Sequence, residues 1–405
     1  MDTYQRETPY LTQLNPYLSR SNAQDDRALS LNQDQSIVAD NVKAFEHNGT
    51  STPRPESHIE SYTIALICAL QEEFQAACQM LDVDDFEAPQ GMEKCMNDGS
   101  VYVFGRLGSH YVIVGCLPRG RLGPVNAANV AKDMTRSFPS LKFALMVGIG
   151  GGAPTRKQDI RLGDVVVSVP SGERGGVVQL DFGTRLPNGI FLRKGQLNSP
   201  PDALLSATQE IQRLLDDPRK SDRIAEHISR MDHMPAYQRP LFDRLYRSDY
   251  IHRDIRDTKA NMNNQHDEDH SDEEDEEDDE TEDGCRYCED DGLVQRKNRQ
   301  SDRKVIVHYG TIASDSVVMR DAKTRDKHAK NKDLNVLCFE MEAAGLMNNL
   351  PCLVIRGVCD YSDTHKNDEW QKYAALTAAA YARELLLVLR PQIVVNMPSW
   401  AGECE

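Results

Sequence analysis

The segments Phe339-Glu340-Met341-Glu342-Ala343-Ala344-Gly345 and Arg356-Gly357-Val358-Cys359-Asp360 set carboxylates at the ends of two apolar runs. Open α/β sheets build their ligand crevices at such strand ends. Glu342, at the start of a predicted helix, suits a chelate to the hydroxyls of a polyol. Asp360, behind the buried-looking run Cys352-Leu353-Val354-Ile355-Arg356, is placed to keep a proton for a leaving group. Glu73, in Ala69-Leu70-Gln71-Glu72-Glu73-Phe74, follows a strand end and is placed to orient a water. The run Gly148-Ile149-Gly150-Gly151-Gly152 completes the set, because backbone without side chains can approach a polar ligand through its amides.

Each feature also has a plain structural reading. Glu73 is a first-turn glutamate favoured by the helix dipole, and Asp360 a turn or cap residue with Ser362 and Asp363. The glycine run reads equally as a tight turn, and with Pro154 following instead of a helix it is not a dinucleotide fingerprint. Glu340 and Glu342 are two apart, so on a helix they diverge and one faces a ligand. Met341 between them reads as core. Cys359 lacks a histidine at usable spacing and reads as packing rather than as a nucleophile. The pair Cys285 and Cys288 supplies two of the usual four zinc ligands, with His252 or His308 as remote candidates. Neither metal nor organic cofactor is assigned.

The elements that must position these residues alternate. A strand over 62–68 leads to a helix over 71–81 that places Phe74, Ala77, Cys78 and Leu81 on one face. Strands at 101–104 and 111–114 flank a hairpin connection over 105–110. A helix spans 124–138, and uninterrupted apolar strands follow at 143–147 and 164–169. Order resumes at 305–309, followed by a helix from Glu340, a strand at Leu353 and a last helix over 373–389. Alternating strands and helices define an α/β class.

Residues 1–58 are rich in Asn, Gln, Ser, Asp and Pro without hydrophobic periodicity and read as a disordered arm. The body spans 59–395, interrupted by an acidic insertion over about 216–303 expected to be partly disordered. A peripheral tail occupies 396–405. The formal charge of the 405-residue chain is −17, but 14 acidic residues lie within 267–283, which leaves the rest at −3. No basic stripe with interleaved aromatics is visible, so nucleic-acid partners are not expected. The N-terminus lacks an apolar leader and no window reaches the length of a membrane span, which predicts an intracellular, cytoplasmic protein without membrane attachment. Ten scattered cysteines, among them Cys68, Cys116, Cys352 and Cys359 in apolar runs, read as free thiols.

Taken in order, Ile64 to Phe74, Met146 to Gly152, Gly310-Thr311-Ile312-Ala313-Ser314, Phe339 to Ala344 and Arg356 to Asp360 resemble the purine nucleoside phosphorylase and nucleosidase superfamily. They most resemble the fungal domains of that type often joined to NACHT-type signalling proteins. The resemblance covers about 61–390. It implies a three-layer α/β/α fold with a central mixed, partly barrel-like sheet, and cleavage of the N-glycosidic bond of a purine nucleoside. Glu342, with Met341 beside it, would hold the ribose hydroxyls, Asp360 would protonate or hydrogen-bond the purine at N7, and Glu73 matches the carboxylate that activates water in the hydrolytic branch. Gly150 and Gly151 would border the substrate. The transition state would be oxocarbenium-like.

The sequence departs from the family in two places. Phosphorylases carry an arginine before the glycine run and a serine within it, where Met146 and Ile149 stand here, so two phosphate ligands are missing. Arg119 and Arg121 are the cations that a loop could bring instead. Val318-Met319 occupies the position where adenine-cleaving bacterial nucleosidases have an aromatic, and Phe182, Tyr361 or Trp370 are candidates to stack on the base. The expected protein is therefore a purine nucleoside N-ribohydrolase acting on adenosine, inosine or guanosine, and a homo-oligomer, with a dimer as the first guess. A phosphate-dependent phosphorylase and a catalytically weak nucleoside sensor are the alternatives.

Overall fold

The computed structural model describes residues 57–85, 88–92, 98–253, 285 and 287–400. Residues 1–56 of the expected arm, the acidic run 267–283 and residues 401–405 of the tail lie outside the described residues.

The chain opens with β1 (Ile64–Cys68) and α1 (Gln71–Gln79), then β2 (Val83–Asp85), β3 (Tyr102–Leu107) and β4 (His110–Cys116). β3 and β4 pair antiparallel with Leu107 opposite His110, so the connection is the two-residue turn Gly108-Ser109, shorter than the 105–110 loop predicted. Gly108 makes this possible with a φ of 59°, a left-handed conformation that costs glycine little. α2 (Pro124–Ser137) starts on proline, whose fixed φ suits the first helical turn. β5 (Phe143–Gly152), β6 (Val165–Ser168), β7 (Val177–Gln179), β8 (Gly183–Arg185) and β9 (Phe191–Arg193) follow. Then come α3 (Asp202–Asp216), α4 (Arg223–Ile228), β10 (Val307–Ser314), α5 (Ala322–Ala329), β11 (Val336–Glu340), α6 (Ala343–Leu346), β12 (Cys352–Asp360), α7 (Gln371–Val388) and α8 (Pro391–Val395).

The main sheet runs β11-β10-β6-β12-β5-β1-β4-β3-β2, with β7 beside β10. β11 also pairs antiparallel with β5 through Cys338 opposite Gly152 and Phe339 opposite Gly151, closing β11, β10, β6, β12 and β5 into a ring. Both parallel and antiparallel pairs occur: β12 is parallel to β5 and antiparallel to β6. β1, β5, β6, β11 and β12 are buried on both faces, which explains their near-continuous apolar sequences.

Alternation within each strand divides the core into two layers. Ala65, Ile67, Ile113, Ala144 and Met146 pack with Ala127, Val130, Ala131 and Met134 of α2 and Leu346 of α6. Ile64, Leu66, Val112, Val114, Phe143, Leu145, Leu353 and Ile355 pack on the other face with Ala76 and Ala77 of α1, Leu204 of α3, Ile224 of α4 and the alanine- and leucine-rich α7. Helices cover both faces, giving the three-layer α/β/α architecture with a mixed, partly closed sheet expected from the motifs.

One expectation is corrected here. The glycine run is neither a turn nor a loop but the end of β5, and β12 likewise runs on through Asp360. The described parts of the expected insertion, 216–253, 285 and 287–303, are folded against the body. Ile224, Met231, Tyr237, Leu245 and Tyr246 are buried. The Glu384 carboxylate of α7 accepts from Arg223 Nε at 2.9 Å and contacts His227 Nε2 at 2.8 Å, and Arg299 Nη1 donates to Asp164 Oδ1 at 2.7 Å. High local charge makes this stretch look solvated in the sequence, but these arginines are engaged by buried carboxylates of the core. The last described residue is tied down as well: Trp400 N donates to Leu141 O at 3.0 Å. Among the described residues no helix is long and apolar enough to cross a membrane.

Candidate active site

Where β5, β11 and β12 end, a cleft of about 270 Å3 opens, near the lower end of the roughly 300–1,000 Å3 usual for ligand pockets. Glu73, Glu340, Glu342 and Asp360 all line it, together with Met341, Gly150, Gly151, Val318 and Met319. Segments more than 280 residues apart in the chain thus meet at one end of the sheet.

Glu73 sits in the first turn of α1 and is almost fully buried. Its Oε2 accepts from Ala69 N at 2.7 Å and Leu70 N at 3.0 Å, and its Oε1 from Ile149 N at 2.8 Å. Helix cap and glycine strand therefore hold one carboxylate between them. A carboxylate has about four acceptor positions, so one is left for the cleft. Burial pushes the Glu73 carboxyl above its ordinary range, against the opposing pull of Arg356 and the three amides.

Arg356 of β12 is the fully buried cation around which the other carboxylates gather. Its Nη2 is bonded to Glu340 and lies 3.5 Å from Glu342 Oε2, while its Nη1 is 3.9 Å from Glu73 Oε1. Sulfur and carbonyl contacts to Met146 Sδ at 3.1 Å and Ile149 O at 3.4 Å complete its surroundings. Burial opposes the guanidinium's charge, but the three glutamates outweigh it and its pKa rises. Three carboxylates around one cation leave an excess of negative charge. Burial pushes Glu342 up to about 7; Arg356 opposes this, whereas Glu340 and Glu73 add to it.

Glu340 was expected on a helix, pointing away from Glu342. It instead ends β11, and its carboxylate accepts from Glu342 N at 3.0 Å and Ala343 N at 2.9 Å, anchoring the turn that presents Glu342. Glu342 caps α6 and its Oε1 accepts from Gly123 N at 3.3 Å. Both glutamates therefore converge on Arg356, the opposite of the helical expectation.

Asp360 ends β12 at a bulge, opposite Gly151. Its Oδ1 accepts from Ser362 N at 2.7 Å and its Oδ2 from Lys366 Nζ at 2.6 Å. The carboxyl thus has an ammonium donor in contact. Burial works against the Lys366 charge, yet Asp360 more than compensates and raises its pKa. Cys359 is buried, and burial followed by Asp360 drives its thiol well above the usual range.

The close approach of these groups accounts for the glycines. A Cβ on Gly148 would lie 2.5 Å from Glu73 Oε1, and one on Gly151 would lie 2.6 Å from Asp360 Oδ1. The backbone of β5 is the floor against which the carboxylates are laid.

The three aromatic candidates do not join the site. Phe182 is exposed and lies in a separate pocket with Arg174, Arg193 and Asn348. Tyr361 hydroxyl is bonded to Asp243 and Arg296, and Trp370 Nε1 donates to Phe242 O at 3.0 Å, so both are committed to the folded insertion. The cleft wall beside Val318 and Met319 is aliphatic, with Leu70, Leu122 and Val317. Arg119 and Arg121 are exposed and do not line the cleft. Sequence reasoning missed Lys366, Ser362 and Asp315 in the lining. Lys366 alone had a signal, a lysine six residues after Asp360 in an otherwise polar turn.

The sheet is mixed and partly closed into a ring, helices cover both sides, and acidic residues gather where its strands end. Solved structures similar to the chain include a futalosine hydrolase of Helicobacter pylori (15% identity, TM-score 0.45, 80% of this chain and 97% of that one). The 5'-methylthioadenosine/S-adenosylhomocysteine nucleosidases of H. pylori (15%, 0.46, 80% and 98%) and S. pneumoniae (16%, 0.46, 81% and 100%) are others. A nucleotide-binding leucine-rich repeat (NLR)-like protein of Hyaloscypha variabilis is 39% identical over 339 residues, which are 84% of this chain. The chain spans 30% of the length of that relative. No family model matches the chain.

Proposed function

We propose that the chain is a purine nucleoside N-ribohydrolase, releasing free base and ribose from adenosine, inosine or guanosine with an activated water. The observation that carries the reading is the Glu73 carboxylate, held by three backbone amides with one acceptor position left toward a cleft whose other walls bear Glu342 and Asp360. The role of each group also rests on the motif resemblance. Glu73 takes a proton from water as it attacks the anomeric carbon. Glu342 chelates the ribose hydroxyls. The negative excess around Arg356 lies beside the sugar and stabilises the positive charge of an oxocarbenium-like transition state. Asp360 faces N7 of the base as its proton donor or hydrogen-bond partner, with the Lys366 ammonium held against its Oδ2.

Water is favoured over phosphate because the cations at the site are already matched. Arg356 is engaged by glutamates and Lys366 by Asp360. A phosphate would meet buried carboxylates with no unengaged arginine in the cleft lining. The aliphatic wall at Val317, Val318 and Met319 suits the face of a purine by dispersion rather than by aromatic stacking. A sensing role inside a larger signalling protein has the name of the 39% identical relative in its favour; the complete set Glu73, Glu342 and Asp360 favours turnover.

The test is incubation of the purified chain with adenosine, inosine and guanosine, with and without phosphate, resolving base, ribose and ribose 1-phosphate by chromatography. Ribose formed without phosphate is expected. Strict phosphate dependence with ribose 1-phosphate as product would replace the hydrolase by a phosphorylase, and binding without turnover would replace it by a sensor.

A further inference from the structure

Of the pair Cys285 and Cys288, Cys288 meets two histidines in space. Cys288 Sγ lies 3.3 Å from His252 Nδ1, and a nitrogen of His365 joins them so that all three ligand atoms fall within 4.8 Å of one another. Ligand atoms on a tetrahedral zinc are separated by roughly 3.3–3.8 Å, given metal distances of about 2.0–2.3 Å. The three atoms therefore need only small shifts to meet a common ion.

His365 supplies an independent sign. Only 8% of the residue is exposed, and neither ring nitrogen has a hydrogen-bond partner. Buried imidazole nitrogens are ordinarily satisfied. Nδ1 lies 3.5 Å from Asp363 Oδ1, a carboxylate beside the ring as in the carboxylate-histidine-metal arrangement of many zinc sites. The ring is fixed by stacking on Tyr246 at 3.9 Å between centroids and meets His252 edge-on at 89°. His252 is held in turn by its own backbone, which donates to Thr364 Oγ1 at 2.9 Å. Cys285 and Cys288 are joined by a turn, with Cys288 N donating to Cys285 O at 3.0 Å, and Cys285 borders the same small cavity as His365.

We propose that His252, Cys288 and His365 bind a zinc ion, with Cys285 as the fourth ligand. Nitrogen and sulfur donors select zinc over magnesium or calcium, which take oxygen. On binding, the coordinating thiols give up their protons to solvent and become thiolates, with no change of oxidation state. His308, the other histidine suggested by sequence, is engaged with Asp164 and takes no part. The site joins two segments of the folded insertion to the turn that follows β12, and that turn also carries Ser362 and Lys366, the two residues gripping Asp360. The metal would hold this turn without touching the cleft.

The experiment uses the full chain. Zinc is measured by elemental analysis after expression with added zinc and dialysis, and cobalt(II) is titrated into the metal-free protein while absorption is recorded. Wild type is expected to retain one zinc per chain and to show thiolate-to-cobalt charge-transfer bands with the intense visible bands of tetrahedral coordination. Cys288→Ser and His365→Gln should weaken binding by more than about 100-fold, whereas Cys78→Ser, on α1, should not. Absence of bound zinc in wild type, or cobalt spectra without a thiolate band, would overturn the site. The wild-type cobalt spectrum decides the matter even where a variant fails to fold.

Discussion

Replacing Glu73 by glutamine separates the role of its charge from the role of its shape. The native carboxylate accepts from Ala69 N, Leu70 N and Ile149 N. A glutamine has one carbonyl oxygen and one amide group, so its best arrangement keeps the two donors at Ala69 and Leu70 and turns an NH2 toward Ile149 N. One buried amide is left without an acceptor, at about 1–3 kcal/mol. Against this stands relief from burying a carboxylate whose charged form is already disfavoured by desolvation. The net change in stability is therefore small, within about 2 kcal/mol. Catalysis has no such compensation. Loss of a general base lowers kcat by about 100- to 10,000-fold, while nucleoside binding, which we propose rests on Glu342 and the aliphatic wall, should change little. The assay pairs single-turnover release of base with equilibrium nucleoside binding and a thermal melt. A second signature is pH: because the Glu73 carboxyl is raised and acts deprotonated, the wild-type rate should climb with pH on its acid side and that limb should vanish in Glu73→Gln. If the variant keeps more than about a tenth of wild-type kcat while remaining folded, Glu73 is not the base and the water is activated elsewhere.

Glu342→Gln should flatten the pH dependence of stability. With its carboxyl raised to about 7, the folded state binds the extra proton between the ordinary glutamate range and pH 7, so wild-type stability falls as pH rises through that window, by about 1.4 kcal/mol for each pH unit; melts from pH 4 to 8 read this directly. Arg356→Met should destabilise by about 3–5 kcal/mol in denaturant titrations, because it leaves Glu73, Glu340 and Glu342 buried around no cation. Gly151→Ala puts a methyl 2.6 Å from Asp360 Oδ1, and overpacking of this kind costs about 1–3 kcal/mol; kcat should fall with it, which a steady-state assay measures. Phe182→Ala should leave the KM for nucleoside unchanged within about twofold, since its ring lies outside the cleft.

The strands were legible because they are buried on both faces: Ile64 to Cys68 and Cys352 to Arg356 are continuous apolar runs that admit little else. The carboxylates Glu73, Glu342 and Asp360 were legible as a set because each follows such a run. What escaped detection depends on contacts between distant segments. Whether Gly148 to Gly152 turns or continues as strand is decided by β12 pairing beside it, and nothing local expresses that. Glu340 looked helical by its neighbours, but pairing with β10 draws it into a strand. Arg356 was in view as part of an apolar run, yet its function as the common partner of three glutamates requires the folded sheet. The stretch around 217–253 looked solvated because charge dominates its composition, and its apolar anchors Ile224, Met231 and Tyr237 are too widely spaced to form a period. Phe182 was chosen for its ring alone, and ring chemistry says nothing about position.

The two-residue seam between β5 and β11 has a bearing on how the chain folds. Gly151 and Phe339 are 188 residues apart, and their pairing completes the ring of five strands. Loop closure over such a distance carries a large entropic cost before any contact offsets it, so long-range pairings form slowly. Both sides of the cleft depend on that seam: Gly151 faces Asp360, and Phe339 immediately precedes Glu340. Recovery of the site on refolding should therefore lag behind the return of helical circular dichroism, making catalytic competence a late marker of the native state.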